Sequence, residues 1–309
     1  MTQKIILDCD PGHDDALALL LAHAHPAVDL LAVTTVAGNQ TLDRTTLNAR
    51  RVMSVGGIRN VPVAAGAERP LMRDQLTAPE VHGESGLDGW PFDEPEIDLD
   101  TRHAVDLIAE IVGAHDEVTL VPVGPLTNIA LALHRHPRTM ARVTEIVLMG
   151  GSSGLGNTTP AAEFNIHADP EAAHVVFSSG LPVTMVPLDL THQAMVTPQI
   201  LERMRAVGNP VADMAAALLG SYSQAIAAAN ALWGPALHDP CAVARVIRPE
   251  IVECKRVNVV VETARSWSYG ATVCDLQGVT KREPNARIAQ KLDAGAFWDL
   301  MLDALAAYS

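Results

Sequence analysis

Four aspartates lie within one short segment near the start of the sequence. They are Asp8, Asp10, Asp14 and Asp15. Ionised carboxylates packed this closely raise each other's pKa and weaken the fold unless a cation offsets their charge. Carboxylate oxygens favour a hard cation, and calcium and magnesium are the two candidates. A structural role stays open for one or two of these acids, because Asp10 or Asp14 could cap the helix that follows.

A further acidic position lies between a histidine and a proline, in the segment His238-Asp239-Pro240. Asp239 is the best candidate in the rest of the chain to complete the ligand shell of a cation. Aspartate before proline is also a frequent helix start, with the aspartate as N-cap and the proline as the first helical residue. The two roles are compatible, so the pattern predicts a helix start that also carries a candidate ligand.

Polar side chains of a Gly- and Pro-containing stretch suit the hydroxyl groups of a polyol such as a sugar. Asn157, Glu163 and Asn165 offer between them both hydrogen-bond donors and acceptors. For Glu163 and Asn165 a structural role is an equal alternative. Asp169, which precedes a proline, is expected to be a helix N-cap. His82 lies in a Gly-rich loop, and we expect its side chain to be exposed.

The elements that position these residues alternate between strands and helices. Apolar runs predict strands at 4–9, 30–36, 61–64, 118–123, 145–149 and 182–186. Helices are predicted at 14–24, 42–55 and 126–134. This alternation predicts an α/β fold with a mostly parallel central sheet covered by helices on both faces. Ligands of such folds bind outside the carboxyl ends of the strands, and the aspartate cluster follows the first strand.

The rest of the chain departs from this alternation. Irregular stretches at about 65–102 and 151–166 are rich in Gly, Pro, Ser and acidic residues, and long loops of this kind are usually functional. A long Ala-rich helix is predicted at 211–232, β-like runs at 252–262 and 271–276, and a last helix at 296–307. No linker-like segment separates these parts. We therefore predict a single domain over 1–309, with active-site loops at 65–102 and 151–166 and a helical elaboration at about 211–250.

Composition excludes several classes of function. The 309 residues include 36 acidic and 22 basic side chains, for a formal net charge of -14, and no long basic cluster that would bind nucleic acid phosphates. The longest apolar run is about half the ~20 residues of a membrane span, and the first residues have no signal-peptide pattern. The four cysteines have no metal-type spacing, which indicates buried thiols in a reducing compartment. We expect a cytoplasmic protein that binds neither nucleic acid nor membranes.

Taken together, the motifs resemble those of the inosine-uridine-preferring nucleoside hydrolases. The N-terminal signature of that family resembles Asp8-Cys9-Asp10-Pro11-Gly12-His13-Asp14-Asp15-Ala16. Further matches, in the family's order and spacing, are Thr35-Val36-Ala37-Gly38-Asn39, Val81-His82-Gly83, Val123-Gly124-Pro125-Leu126-Thr127-Asn128, Met149-Gly150-Gly151, Glu163-Phe164-Asn165 and His238-Asp239-Pro240. The resemblance covers nearly the whole chain.

This resemblance implies a Rossmann-like nucleoside hydrolase fold and cleavage of the N-glycosidic bond of ribonucleosides to ribose and free base. It also implies a tightly bound calcium ion. The expected calcium ligands are the side chains of Asp10, Asp15 and Asp239 and the main-chain carbonyl of Val123. Asp10 is also the expected general base, which takes a proton from a calcium-bound water. The residues expected to bind the ribose hydroxyls are Asp14, Asn39, Asn157, Glu163 and Asn165.

The implied chemistry is consistent with the residue types. Glycosidic cleavage passes through an oxocarbenium-like state, which needs an activated water on one face and stabilisation of positive charge on the ring. A carboxylate base supplies the first, and an acidic pocket supplies the second. The resemblance implies that His238 protonates the leaving base and that His82 is a second donor near it.

The resemblance also implies which residues contact the base and that the chain forms a homo-oligomer. The expected pocket residues are His82, Phe164, Tyr222, Ile226, Asn230 and Trp233. Pyrimidine-specialised relatives tend to have a polar residue and a tyrosine where this chain has Ile226 and Asn230, which favours a broad inosine-uridine specificity over the pyrimidine-specific alternative. The family also implies a homo-oligomer, either a tetramer or a dimer.

Two other classes of function stay open. A nucleoside- or sugar-binding protein could use the same pocket without turnover, but it would not need a base beside the metal. A magnesium phosphohydrolase would need Lys or Arg at the phosphate, and near the acidic cluster the sequence offers Lys4 alone, at the far end of the first strand.

Overall fold

Eight strands form one sheet within residues 2–228 and 234–308, the part of the chain that this computed structural model describes. In chain order the strands are β1 Gln3–Cys9, β2 Val28–Thr35, β3 Val63–Ala65, β4 Val118–Pro122, β5 Glu145–Met149, β6 Val183–Val186, β7 Val252–Val257, β8 Val259–Val261, β9 Thr272–Cys274 and β10 Ala286–Leu292. The order across the large sheet is β3-β2-β1-β4-β5-β6-β10-β7, and β8 pairs with β9 in a separate antiparallel ribbon. Within the described chain, neighbouring strands of the large sheet are parallel, except that β7 runs antiparallel to β10.

Strand β1 lies inside the sheet, between β2 and β4. Ile5 and Leu7 pack in the core on one face of the sheet, and Ile6 packs in the core on the other. A strand that is covered on both faces needs apolar residues at successive positions, which is why β1 is a continuous apolar run.

Helices cover both faces of the sheet. In chain order they are α1 His13–Ala24, α2 Leu42–Val55, α3 Pro79–His82, α4 Ala104–Ala114, α5 Thr127–Arg135, α6 Pro137–Met140, α7 Phe164–Ala168, α8 Pro170–Phe177, α9 Leu188–Thr191, α10 Pro198–Arg205, α11 Pro210–Ala228, α12 Pro240–Ile247 and α13 Ala294–Ala306, with a 3-10 turn at Pro249–Ile251. Helices α1, α2, α11, α12 and α13 contribute to one core, and α4, α5 and α8 contribute to the other. The predicted fold class, a mostly parallel sheet with helices on both faces in a single domain, is confirmed. None of the helices in the described residues combines the length and the apolar character needed to cross a membrane.

The end of the chain differs from the predicted elements. Strand β10 was not predicted, because Arg287, Gln290 and Lys291 interrupt its apolar pattern at exposed positions. It lies beside the antiparallel edge strand β7, where one-sided burial tolerates such residues. The predicted run 252–262 is two strands, β7 and β8, which belong to different sheets and are separated by Asn258.

Two long irregular segments follow β3 and β5, at 66–103 and 150–163, and the first contains the short helix α3. Both begin at the carboxyl ends of parallel strands, and the turn between β1 and α1 lies at the same edge of the sheet. The fold therefore brings the sequence-predicted site residues to one edge.

Candidate active site and metal centre

The turn between β1 and α1 is closed by one of its own aspartates. The two carboxylate oxygens of Asp15 accept hydrogen bonds from the main-chain N–H groups of Asp10 and Gly12, each at 2.9 Å. Gly12 is the N-cap residue of α1, so Asp15 provides the capping interaction that the sequence left open for Asp10 or Asp14. The turn is thus fixed by side chains of the acidic segment itself.

Asp8, the first acid of the segment, fastens β1 to its neighbours. One oxygen of Asp8 accepts hydrogen bonds from the Thr34 hydroxyl of β2 at 2.6 Å and from the Asn128 amide of α5 at 2.8 Å. Burial is the main cause that raises the pKa of Asp8 to about 7. Asp8 therefore has a structural role directly below the site.

Asp14, Asp15 and Asp239 form a compact group of carboxylates. One oxygen of each lies within 4.8 Å of the other two, and all three residues are buried. Asp239 is the N-cap residue of α12 and precedes Pro240, but within the described chain its side chain makes no capping hydrogen bond. The predicted helix start is present, and the carboxylate of Asp239 is turned to the acidic group instead of the helix.

The carboxylate of Asp10 lies outside that 4.8 Å group and is held by main-chain atoms. Oδ2 accepts a hydrogen bond from the N–H of Asn39 at 2.6 Å, and Oδ1 is buried with no hydrogen-bond partner among the described residues. A Cβ atom at Gly38 would lie 2.1 Å from Oδ2, and one at Gly124 would lie 2.4 Å from Oδ1. These two glycines allow the backbone to approach from both sides, so the carboxylate has little freedom to rotate.

Burial raises the pKa of the acids in this region. It is the main cause that raises the pKa of Asp14 to about 7, and the charge of Asp15 adds to the effect. The pKa values of Asp10 and Asp239 lie well above the usual range, again mainly through burial and further through the charges of neighbouring aspartates. A divalent cation would offset this repulsion, and a set of buried carboxylate oxygens fits a hard cation such as calcium or magnesium.

Glu163 is the N-cap residue of the short helix α7. Its Oε1 accepts a hydrogen bond from the N–H of Asn165 at 2.9 Å. Its Oε2 accepts from the N–H groups of Gly151 at 2.8 Å and Ile166 at 3.1 Å. Burial raises the pKa of Glu163 to about 7. The structural alternative considered for Glu163 is therefore observed, in a side chain that also faces the cavity described below.

The asparagines near the site contact its backbone. The side-chain amide of Asn165 donates to the main-chain carbonyl of Val123 at 2.8 Å and to that of Met149 at 3.1 Å, which joins the ends of β4 and β5. The amide of Asn39 donates to the carbonyl of Asp10 at 3.2 Å. The side-chain oxygen of the exposed Asn157 accepts a hydrogen bond from the main-chain N–H of Phe164 at 3.0 Å.

A cavity of about 540 Å³ opens beside the acidic group. The predicted site residues in its wall are Asp14, Asn39, His82, Val123, Asn157, Glu163, Phe164, Asn165, Tyr222, Ile226, His238 and Asp239. Asp10 and Asp15 are completely buried next to it. Asn230 and Trp233, predicted for the base pocket, lie outside the described residues. One cavity thus unites nearly all of the predicted residues that are described.

His82 is buried, with 6% of its surface exposed, so the expectation of an exposed side chain is wrong. Its ring stacks on that of Tyr222 in α11, with 6.1 Å between the ring centroids and 15° between the planes. A Cβ atom at Gly12 would lie 2.6 Å from Nδ1 of His82, so the glycine leaves room for the ring. His82 is the last residue of α3 and packs onto the start of α1, a tertiary contact that its Gly-rich sequence did not indicate.

His238 is oriented by a hydroxyl group. Its Nδ1 lies 2.7 Å from Oγ1 of Thr191, and its ring meets that of His192 edge-on, with 5.5 Å between centroids. Burial lowers the pKa of His238 to about 3, so the ring is neutral at pH 7. The Thr191 hydroxyl also lies 3.5 Å from the main-chain carbonyl of Leu188, to which it donates in the alternative arrangement where Nδ1 of His238 carries the ring hydrogen.

Several residues of the cavity wall were not predicted. They are Met149, Thr158, His192, Gly234, the loop residues 76–78, and Glu80 and Val81 of α3. Met149 is the last residue of β5, so the rule that ligands bind at the carboxyl ends of strands could have identified it. His192 follows the four-residue helix α9, which is too short to leave a periodic pattern in the sequence.

Both the sequence and the fold match those of known proteins. A sequence model of the family described as inosine-uridine preferring nucleoside hydrolase matches residues 5–299. A relative from Shewanella sp. (strain ANA-3), named pyrimidine-specific ribonucleoside hydrolase RihA, is 48% identical over 313 residues, which are 100% of this chain and 98% of that protein. The inosine-uridine preferring nucleoside hydrolase of Crithidia fasciculata is 48% identical over 308 residues, 99% of this chain and 98% of that protein.

Solved structures have the same architecture. The purine-preferring ribonucleoside hydrolase from Gardnerella vaginalis superposes with a TM-score of 0.91 and 30% sequence identity, over 98% of each chain. A structure named inosine-guanosine nucleoside hydrolase superposes with a TM-score of 0.89 and 28% identity, over 100% of each chain. The names of these proteins include purine, pyrimidine and mixed preferences.

Proposed function

The chain belongs to the inosine-uridine preferring nucleoside hydrolase family and is an enzyme that hydrolyses the N-glycosidic bond of nucleosides; from this premise we propose that it releases ribose and free base by means of a calcium ion and an aspartate general base. The observation that carries the proposal is the buried group of Asp14, Asp15 and Asp239 at the wall of a 540 Å³ cavity. The carboxylates of this group can bind a cation, and a cation bound there would lie next to a small ligand in the cavity.

In this proposal calcium is held by the side chains of Asp10, Asp15 and Asp239 and by the main-chain carbonyl of Val123. The fit is supported by Oδ1 of Asp10, which is buried with no hydrogen-bond partner in the described chain, and by the carboxylate of Asp239, which is not used for capping. The carbonyl of Val123 accepts one hydrogen bond from Asn165 and has a second lone pair available. Bound calcium supplies positive charge that offsets the acids and orients water and hydroxyl groups.

The chain's own residues carry out the proton transfer and hold the sugar. Asp10 takes the proton of the attacking water, and its contacts with Gly38, Gly124 and the N–H of Asn39 keep the carboxylate in one orientation. The acidic surroundings favour the positive charge that develops on the ribose ring. The ribose hydroxyls bind to Asp14, Asn39, Asn157, Glu163 and Asn165.

His238 donates the proton or hydrogen bond that the leaving base needs. Its ring lines the same cavity, with Nδ1 next to the Thr191 hydroxyl, and in this role its ring hydrogen lies on Nε2. The base itself contacts His82, Phe164, Tyr222 and Ile226.

We place the enzyme among those of broad inosine-uridine specificity. Ile226 is apolar and offers no hydrogen bond that would select a pyrimidine ring. The 48% identical relatives include both an inosine-uridine preferring enzyme and a pyrimidine-specific one. A pyrimidine-specific enzyme is therefore the alternative, and a panel of ribonucleosides distinguishes the two: turnover of inosine and uridine at similar kcat/KM supports broad specificity, and turnover of uridine and cytidine alone contradicts it.

We further propose that the enzyme acts in the cytoplasm as a homo-oligomer, a dimer or a tetramer. The cysteines Cys9, Cys241, Cys254 and Cys274 are all free thiols, as a reducing compartment requires. Light scattering of the purified protein measures the assembly, and a monomer at micromolar concentration would contradict this part of the proposal.

The direct test of the mechanism is the variant Asp10→Ala. Loss of a general base is expected to lower kcat on inosine and uridine by about 10²–10⁴-fold, measured as the release of reducing sugar. The exposed Asp29 provides the control variant Asp29→Ala, which should keep wild-type activity. An Asp10→Ala enzyme within about tenfold of the wild type would rule out Asp10 as the base. A wild-type protein that bound nucleosides without turnover would instead be a binding protein.

A further inference from the structure

Asn128 has no place among the proposed contacts with calcium, ribose or base, yet it lies beside the acidic segment. It is the second residue of α5, at the end of the segment 123–128 that follows β4. Its side chain is completely buried and makes three hydrogen bonds. An amide that is buried with this many partners has one fixed orientation.

The amide of Asn128 connects α5 with the ends of three strands. Nδ2 donates to Oδ1 of Asp8 in β1 at 2.8 Å and to the main-chain carbonyl of Thr35, the last residue of β2, at 3.0 Å. Oδ1 accepts a hydrogen bond from the N–H of Ala67, shortly after β3, at 2.8 Å. A Cβ atom at Gly66 would lie 2.2 Å from this Oδ1, so the glycine leaves room for the amide.

One side of the Asp10 carboxylate is formed by the segment 36–39. A Cβ atom at Gly38 would lie 2.1 Å from Oδ2 of Asp10, and the N–H of Asn39 donates to the same oxygen at 2.6 Å. The position of this segment therefore determines the position of Oδ2.

Asn128 holds that segment at two points. It bonds directly to the carbonyl of Thr35, the residue before the segment. It also bonds to the N–H of Ala67, whose carbonyl accepts a hydrogen bond from the N–H of Ala37 within the segment, at 3.0 Å. Loss of the amide would release both points.

The other side of the Asp10 carboxylate is formed by the segment 123–128, to which Asn128 itself belongs. A Cβ atom at Gly124 would lie 2.4 Å from Oδ1 of Asp10. The side chain of Asn128 thus extends from the segment on one side of the carboxylate to the segment on the other. It sets the distance between the two.

We propose that Asn128 is a positioning residue that holds the carboxylate of Asp10 in the orientation needed for proton transfer. The inference rests on the proposed role of Asp10 as general base. An amide suits this task because it donates and accepts hydrogen bonds at once and adds no charge to an acidic region. A displacement of about 1 Å at a reacting group costs up to about 10²-fold in rate, so a residue behind the cavity wall can control turnover.

The first test is a double-mutant cycle with Asp10, measured as release of reducing sugar at saturating calcium. Asn128→Ala is expected to lower kcat on inosine by about 10- to 100-fold, with a smaller change in KM, because a general base acts in the chemical step. In the Asp10→Ala background the same substitution should change kcat by less than about twofold, since the group that Asn128 orients is already absent. Equal fold losses in the two backgrounds would overturn the proposal.

The neighbouring Thr127 provides the matched control. It is buried at the start of α5, as Asn128 is, but its hydroxyl donates to Asp169 of α8 and not to the backbone around Asp10. Thr127→Val should therefore keep the kcat of the wild type. A loss as large as that of Asn128→Ala would mean that any buried hydrogen bond at this helix start has the same effect, and would contradict a specific role for Asn128.

Gly66→Ala displaces the amide without removing it. The added Cβ must move Oδ1 of Asn128, while all the hydrogen-bonding groups remain in the chain. We expect a loss of kcat that again disappears in the Asp10→Ala background, and this variant provides the test if Asn128→Ala does not fold. Circular dichroism and melting establish which variants are folded. Wild-type kcat in folded Gly66→Ala would contradict the proposal.

Calcium binding tests the same positioning without turnover. Asp10 is also a proposed calcium ligand, and the affinity of a calcium site depends on the rigidity of its ligands. In isothermal titration, Asn128→Ala should bind calcium on the order of 10-fold more weakly than the wild type, and Thr127→Val should bind it equally well. Wild-type affinity in Asn128→Ala would contradict the proposal. A wild-type enzyme without turnover would instead refute the proposed function, and the titration would still report the effect of Asn128 on Asp10.

Discussion

Two helices of this protein begin with an aspartate followed by a proline, and the two aspartates are used in different ways. Asp169, at the start of α8, accepts hydrogen bonds from the N–H of Ala172 at 3.1 Å, the N–H of Leu71 at 2.9 Å and the hydroxyl of Thr127 at 2.7 Å. Asp239, at the start of α12, is equally buried, yet within the described chain it makes no capping hydrogen bond.

The difference lies in the neighbours that the fold supplies. Asp169 meets donors from a loop and from α5, which satisfy both of its oxygens. Asp239 meets the carboxylates of Asp14 and Asp15, and burial together with their charges raises the pKa of Asp239 well above its usual range. A buried acid with satisfied oxygens stabilises the fold, whereas one that faces other acids is available for a cation. The same sequence pattern therefore serves structure in one place and is proposed to serve the site in the other.

The largest expected difference between alanine variants of the two aspartates is in catalytic activity. We expect Asp239→Ala to lower kcat/KM for inosine by about 10²–10³-fold, because it removes charge that stabilises the transition state. Asp169→Ala, whose carboxylate faces the protein interior, should stay within about tenfold of the wild type at a temperature where it is folded. Steady-state release of reducing sugar measures both. Similar losses in the two variants would remove the distinction between them.

Stability should reverse the order of the two variants. Asp169→Ala leaves buried donors without an acceptor and is expected to lower the free energy of unfolding by about 1–3 kcal/mol. Asp239→Ala, measured in a calcium chelator, removes a repulsive buried charge and should leave the free energy of unfolding unchanged or raise it. Urea denaturation at pH 7 gives both values. A loss for Asp239→Ala in chelator as large as that for Asp169→Ala would indicate that Asp239 is also a structural residue.

Glu163 combines the two situations, because it caps α7 and also lines the cavity. Burial raises its pKa from the ordinary value of 4.5 to about 7 in the folded protein, so the folded state binds more protons between these values and stability falls as pH rises through this window. The contribution is smaller than about 1.4 kcal/mol per pH unit, the limit for one proton. Urea denaturation of apo Glu163→Gln should show a flatter decline from pH 4.5 to pH 7 than the wild type. Parallel declines would contradict the raised pKa.

Much of the fold was predictable because its central strands have a simple pattern. Strand β1 is apolar at successive positions, since both faces of the sheet cover it, and the turn after it is marked by Pro11 and Gly12. Strand β10 was missed because it lies beside an antiparallel edge strand, where polar residues at exposed positions weaken the pattern. Local sequence therefore predicts strands well where both faces of the sheet are covered, and less well near the antiparallel edge of the sheet.

The site residues were identifiable by type, but their partners were not. The sequence predicts a helix start at both Asp169 and Asp239, and nothing local indicates that one will meet hydrogen-bond donors and the other will meet acids. His82 was expected to be exposed because its loop is Gly-rich, yet His13 and Tyr222 bury it from elements distant in the chain. Such outcomes depend on tertiary contacts, which residue types and spacing do not encode.

The central claim is that the carboxylates around Asp239 hold calcium, and isothermal titration of calcium into the chelator-treated protein tests it most directly. The wild type and Asp169→Ala should each bind one calcium per chain, and Asp239→Ala should bind on the order of 10²-fold more weakly, because the affinity of calcium sites depends on the number of charged ligands. Calcium binding by Asp239→Ala as tight as that of the wild type would contradict the claim.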